Sequence, residues 1–119
     1  MNNDTLYEKD QIKITSLHSP EPGKEEEIIS TEDHELWIRD KNNEWSRYVI
    51  QRGILRELAE TSERNPSGLA NLLDKVNPSM LCAMQMEKIS LEDISAAIME
   101  AYKNETDKFK RYRAEHPIS

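Results

Sequence analysis

The sequence predicts a mainly α-helical protein: a small bundle of four or five short helices over residues 31–116, behind a polar, partly disordered N-terminal arm. Three observations predict it. Apolar residues recur at three-and-four spacing from Trp45 onward. Ser67, Asn77 and Ser90 stand where helix caps are expected. The apolar content is economical, with 36% hydrophobic and 33% charged residues in 119. Leu, Ile, Val and Phe total 24, which suits one small core and argues against a large α/β catalytic domain. The organisation expected is an acidic flexible arm over 1–30 and a helical domain over 31–119.

The arm is read from charge and breakers. Residues 1–35 hold ten acids and three bases, a difference equal to the net charge of −7 of the whole chain. Gln11-Ile12-Lys13-Ile14-Thr15 alternates apolar and polar side chains, as a short edge strand would. Ser19-Pro20-Glu21-Pro22-Gly23 interrupts regular structure, and Lys24-Glu25-Glu26-Glu27 is a solvated charge run.

Residues 31–43 admit two readings. Ser30-Thr31-Glu32-Asp33 offers a hydroxyl cap followed by acids, which favours a helix. Against this, Leu36, Trp37 and Ile38 are contiguous and Asp40-Lys41-Asn42-Asn43 is turn chemistry. The rival is a hairpin pairing Glu35–Arg39 with Trp45–Ile50. The helix is preferred, and a short strand or hairpin within 11–50 is the alternative.

The later elements follow from periodicity. Trp45, Tyr48, Val49, Arg52, Leu55, Leu58 and Ala59 trace one helical face, with Gly53 as a costly interior residue or a close contact. Asn65-Pro66-Ser67-x-Leu69 and Asn77-Pro78-Ser79-x-Leu81 repeat one pattern, read as two helix starts. The first opens a helix on Leu69, Leu72, Leu73 and Val76. The second opens a Met-rich helix with Leu81, Cys82, Met84, Met86 and Ile89. Ser90-Leu91-Glu92-Asp93 resembles a capping box for the last helix. Leu91, Ile94, Ile98, Ala101 and Tyr102 form its buried stripe, prolonged by Phe109 and Tyr112, and Pro117 stops it. The expected core is Trp45, Val49, Leu55, Leu58, Leu69, Leu72, Leu73, Leu81, Met84, Ile89, Leu91, Ile94 and Ile98.

Catalytic signals are sparse, so the protein is expected not to be an enzyme, with no cofactor and no metal. His18, His34 and His116 are far apart, and acids adjacent to His34 diverge around a helix. The glycines Gly23, Gly53 and Gly68 are isolated, which excludes a phosphate-binding loop. Cys82, the lone cysteine, has apolar neighbours and reads as a buried, inert thiol in a reduced compartment. With no secretory signal and no spanning apolar run, a cytoplasmic location is expected.

The pattern Asn77-Pro78-x-x-Leu81-x-x-x-Gln85 followed by a long helix resembles the end of type III secretion needle and inner-rod proteins. Ala83-Met84-Gln85 with Ala101-Tyr102 is similar to a flagellar basal-body adaptor. The likeness covers about 30 residues, departs from those families in the basic end of the last helix and in residues 31–64, which match nothing of them, and carries no residue roles. It implies, as a lesser alternative, a structural component of such a rod.

The function expected is a small intracellular interaction module, of adaptor, inhibitor, immunity or secretion-accessory type, acting by binding another macromolecule. Leu36, Trp37, Ile38 and Trp45 are the candidate interface, because they leave more apolar surface than one short helix buries. The acidic arm would steer a basic protein partner, and self-association is a further form of partnership. The alternative function is a nucleic-acid-binding regulator using Lys108, Lys110, Arg111 and Arg113, with Phe109 and Tyr112 interleaved for stacking.

Overall fold

The computed structural model describes residues 4–16, 33–51 and 53–115, with backbone alone at Asp4, Tyr112 and Arg113. It is an α+β fold, which corrects the expectation of a mainly α bundle. Strands β1 (Asp4–Lys9), β2 (Ile12–Ser16), β3 (His34–Arg39) and β4 (Trp45–Ile50) form one antiparallel sheet in that order. Helices α1 (Ile54–Arg64), α2 (Leu69–Val76), α3 (Pro78–Met86) and α4 (Leu91–Glu115) follow, with a 3₁₀ turn at Pro66–Gly68.

Residues 4–16, read from the sequence as part of the arm, are two strands whose Leu6, Ile12 and Ile14 belong to the core. The rest of that arm, 17–32, lies outside the described residues. The strand β2 is flanked on both sides rather than lying at an edge. The preferred helix over 31–43 gives way to the rival hairpin. Asp40 makes its turn: its carboxylate accepts from the N–H of Asn42 at 2.8 Å and of Glu44 at 3.1 Å. Asn43 takes the left-handed conformation, φ 65°, that Asn tolerates.

Register divides the strand residues between two faces. Rows Ile12–Ile38–Ser46, Ile14–Leu36–Tyr48 and Ser16–His34–Ile50 point one way, and rows Lys13–Trp37–Arg47 and Thr15–Glu35–Val49 point the other. The first face meets the helices. Leu36, Ile14 and Ile50 are fully buried there with Leu55, Leu58, Leu73, Met80 and Ile98. The long helix α4 lies against β1, β2 and α1.

The helices begin at 54 rather than 45. The expected core residues Trp45 and Val49 stand on the outer face instead, and Val49 is 40% exposed. Gly53 marks the change, with φ 72° at the strand-to-helix junction, where a side chain would be strained. Leu91 is also exposed rather than buried. Asn77 caps α3 by accepting from the N–H of Met80 at 3.2 Å, and Ser90 accepts from Asp93 N–H at 3.1 Å. Ser67 caps nothing, and its hydroxyl donates to the Asn65 side chain.

Candidate functional site

The sheet face turned away from the helices carries a connected polar and aromatic cluster. It forms because the alternation in β2, β3 and β4 places Lys13, Thr15, Glu35, Trp37, Arg39, Trp45 and Arg47 on one side. The Lys13 ammonium sits 4.7 Å from the ring centres of both Trp37 and Trp45, and the Arg39 guanidinium lies 5.3 Å from Trp45. The Trp37 indole N–H donates to the Thr15 hydroxyl at 3.0 Å, and that hydroxyl donates to Glu35 Oε1 at 3.1 Å. Arg47 closes the chain on Glu35 Oε2. Thr15 and Glu35 are buried, whereas the Arg47 side chain is 53% exposed.

These contacts hold the two indoles in fixed orientations. A side chain with few rotatable bonds, already ordered, loses little entropy when a partner covers it. Both tryptophans remain partly exposed. The arrangement can bind, because it presents two ordered indoles beside a half-exposed guanidinium.

Of the four expected interface residues, the structure brings Trp37 and Trp45 together on this face. Leu36 and Ile38 alternate to the other side and are sealed in the core, at 0% and 2% exposure. The basic residues of the alternative lie at the far end of α4. Lys110 and Arg111 are exposed, Lys108 is half-buried, and the Arg113 side chain is outside the described residues. Phe109 among them is buried, so it is not offered for stacking. Cys82 is exposed, against the expectation of a buried thiol. Met80 and Met84 fill the core, and Met86 is exposed.

Sequence reasoning missed a buried pair beneath the sheet. His34 Nε2 and Glu105 Oε2 are 2.8 Å apart, with both side chains essentially inaccessible. Among the described residues, His34 Nδ1 and Glu105 Oε1 have no hydrogen-bond partner. One signal was present: Glu105 falls four residues from both Ala101 and Phe109, inside the apolar stripe of α4. Among the described residues the pair is sealed from solvent, and it ties β3 to α4.

Two small hollows flank β1. One is lined by Tyr7, Asp10, Ile12, Ile89 and Asp93, the other by Leu6, Glu100 and Asn104. Burial, then the carboxylates of Glu100, Asp10 and Asp93, raise the Tyr7 phenol above its usual value. Among the described residues no group of His, Cys, Asp and Glu gathers at metal-binding spacing, and no helix is long and apolar enough to cross a membrane. No known protein family, curated protein or solved structure matches the chain.

Proposed function

We propose that the protein is a small binding module that engages another protein through the outer face of its sheet, at the β3–β4 end. The observation that supports this reading is the stack of Trp37, Lys13 and Trp45, held in place on a face that no described helix covers. A two-layer protein commonly turns polar residues outward from its sheet, and two ordered tryptophans there are the chemistry of an interface. The activity proposed is binding, without a catalytic step, in a reducing intracellular compartment that suits the exposed Cys82 thiol.

The partner's charge is revised by the site. The expectation of a basic partner rested on residues 1–35 as a whole. The β3–β4 end of the aromatic face is cationic, with Arg39 and Arg47 against the one buried carboxylate of Glu35, whereas Lys13 on β2 stands opposite Glu8 of β1. An acidic or acidic-amphipathic protein surface complements it. Single-stranded nucleic acid is disfavoured, because Lys13 already occupies a ring face of both tryptophans.

The test uses the full chain and its Trp45→Ala and Trp37→Ala variants. The chain has two tryptophans, both on this face, so intrinsic fluorescence reports the site directly. Partners captured from the native host by the parent protein should shift this emission and should be lost with Trp45→Ala, while the circular dichroism spectrum and melting temperature stay close to the parent's. Equal capture by both variants would sink the reading. Salt-sensitive retention of RNA or DNA in place of protein would move the function to the nucleic-acid class.

A further inference from the structure

The two edges of the sheet differ in what they leave open. At β1 the register slips between Thr5 and Tyr7, a bulge that spoils the edge as a template. The Asn104 side-chain amide donates to the Leu6 carbonyl at 2.8 Å, and α4 packs along the strand. At β4 the pairing with β3 is regular over all six residues. The Asp40 N–H donates to the Glu44 carbonyl at 3.0 Å, which sets the phase of the ladder. Ser46, Tyr48 and Ile50 therefore direct their backbone groups to β3, and Trp45, Arg47 and Val49 direct theirs to the open edge. Among the described residues no backbone bond reaches those three N–H groups.

The same three residues carry their side chains on the aromatic, cationic face. Backbone and side-chain recognition thus converge on one strand. Arg47 uses one terminal nitrogen on Glu35 and is half exposed, leaving further donors of its fork for a second carboxylate. Arg39 stands directly opposite Trp45. On the other side of the strand, Tyr48 is half-buried against the core and offers an apolar rim.

We propose that β4 receives an extended acidic segment of the partner protein as a fifth strand. This rests on the outer-face reading above and names its partner chemistry: a stretch alternating carboxylate and apolar side chains. The carboxylates meet Arg39 and Arg47, and the apolar residues extend the core beyond Tyr48. The backbone of the segment pairs with Trp45, Arg47 and Val49. A helix or a globular acidic patch would match the charge but leave those backbone groups unused.

The experiment follows amide hydrogen exchange in the full-length protein by NMR. The probes are a short end-capped peptide alternating glutamate with valine and its lysine–valine counterpart. The glutamate peptide should slow exchange at Trp45, Arg47 and Val49 by on the order of tenfold or more, and leave the β1 amides unchanged. The lysine peptide should not. Val49→Pro removes an edge donor that the β3–β4 ladder does not use, so it should abolish the protection with β3 amides still protected. Protection at β1, or equal protection by the lysine peptide, would overturn the proposal. So would concentration-dependent slowing of the same amides without peptide, together with a doubled mass, because the edge would then serve a second copy of this chain. A shift in tryptophan emission without amide protection would defeat strand addition while leaving the outer-face reading standing. No response in either probe overturns strand addition too, and host capture by Trp45→Ala then judges the face separately.

Discussion

His34 and Glu35 are neighbours in β3, both are buried, and they serve opposite faces of the sheet in different ways. His34 enters the core and meets Glu105 there, with both side chains sealed from solvent. Glu35 turns outward and is held by Thr15 and by Arg47, a side chain that is itself half in water. The same strand therefore supports a dry ionisable pair and a partly wet network within one residue of each other. Polar groups in the dry site cannot fall back on water when a partner is lost, whereas Arg47 of the outer network can.

The largest effect that tests this contrast is expected inside. Glu105→Ala leaves His34 buried without its partner and should destabilise by about 3 kcal/mol in urea unfolding. Glu35→Ala on the outer face should cost about 1 kcal/mol, since Arg47 can turn to solvent. Replacing His34 and Glu105 together by leucine should recover most of the inner loss, because the desolvated polar groups then disappear. Equal losses for Glu105→Ala and Glu35→Ala would break the distinction between the faces.

An intermediate effect sits where the chain passes from the sheet to the helical layer. Gly53→Ala places a Cβ at φ 72° and should cost about 1 kcal/mol. Gly53→Asn should cost less, as Asn tolerates that region. Matching unfolding midpoints for Gly53→Ala and the parent would show that the junction relaxes.

That glycine also explains how much of the fold could be read from the residues alone. The helices from Ile54 onward were visible: Leu55, Leu58 and Ala59 share a face, and Asn77 and Ser90 cap where expected. Residues 45–50 were not, because Trp45, Tyr48 and Val49 happen to match helical spacing with Leu55 and Leu58. A two-residue period in Tyr48 and Ile50 runs into a 3.6-residue period, and only residues 51–53 separate them. In β1 the bulge brings Leu6 into the core beside Tyr7 and hides the alternation. For the site, Trp37 and Trp45 were named because, with Leu36 and Ile38, they offered more apolar surface than one short helix buries, although Trp45 was also assigned to the core. Their partners were not: Lys13 comes from a different hairpin, and His34 and Glu105 are 71 residues apart. No local spacing encodes such contacts; the register of the sheet creates them.

A smaller effect separates the outer network from the core by its response to salt. Lys13→Ala removes a cation shared by two rings and should cost about 0.5–1 kcal/mol at low ionic strength. Raising the salt should shrink this cost, since the cluster lies at the surface, while the cost of Glu105→Ala should hardly change. Tryptophan emission should respond to Lys13→Ala and remain silent to Glu105→Ala. A salt-independent Lys13 would place the outer cluster among the dry interactions and erase the difference between the faces.

The smallest effect belongs to the helix-side face near its β1 end and appears only in alkali. Tyr7 packs against the core, and its phenol is held above the ordinary 10.0 first by burial and then by Glu100, Asp10 and Asp93. A raised value means that the fold favours the protonated form. The associated stability is whole below pH 10, where folded and unfolded chains both keep the proton. It is lost as the pH climbs through the folded value, because the unfolded chain releases the proton first. The parent should therefore lose stability more steeply above pH 10 than Tyr7→Phe, which has no phenol to ionise. Ultraviolet titration of phenolate should show one late component in the parent that is missing in the variant. Parallel stability curves above pH 10 would mean that Tyr7 meets water as freely as a surface tyrosine, and that the carboxylates of α4 do not close over the β1 end of the sheet.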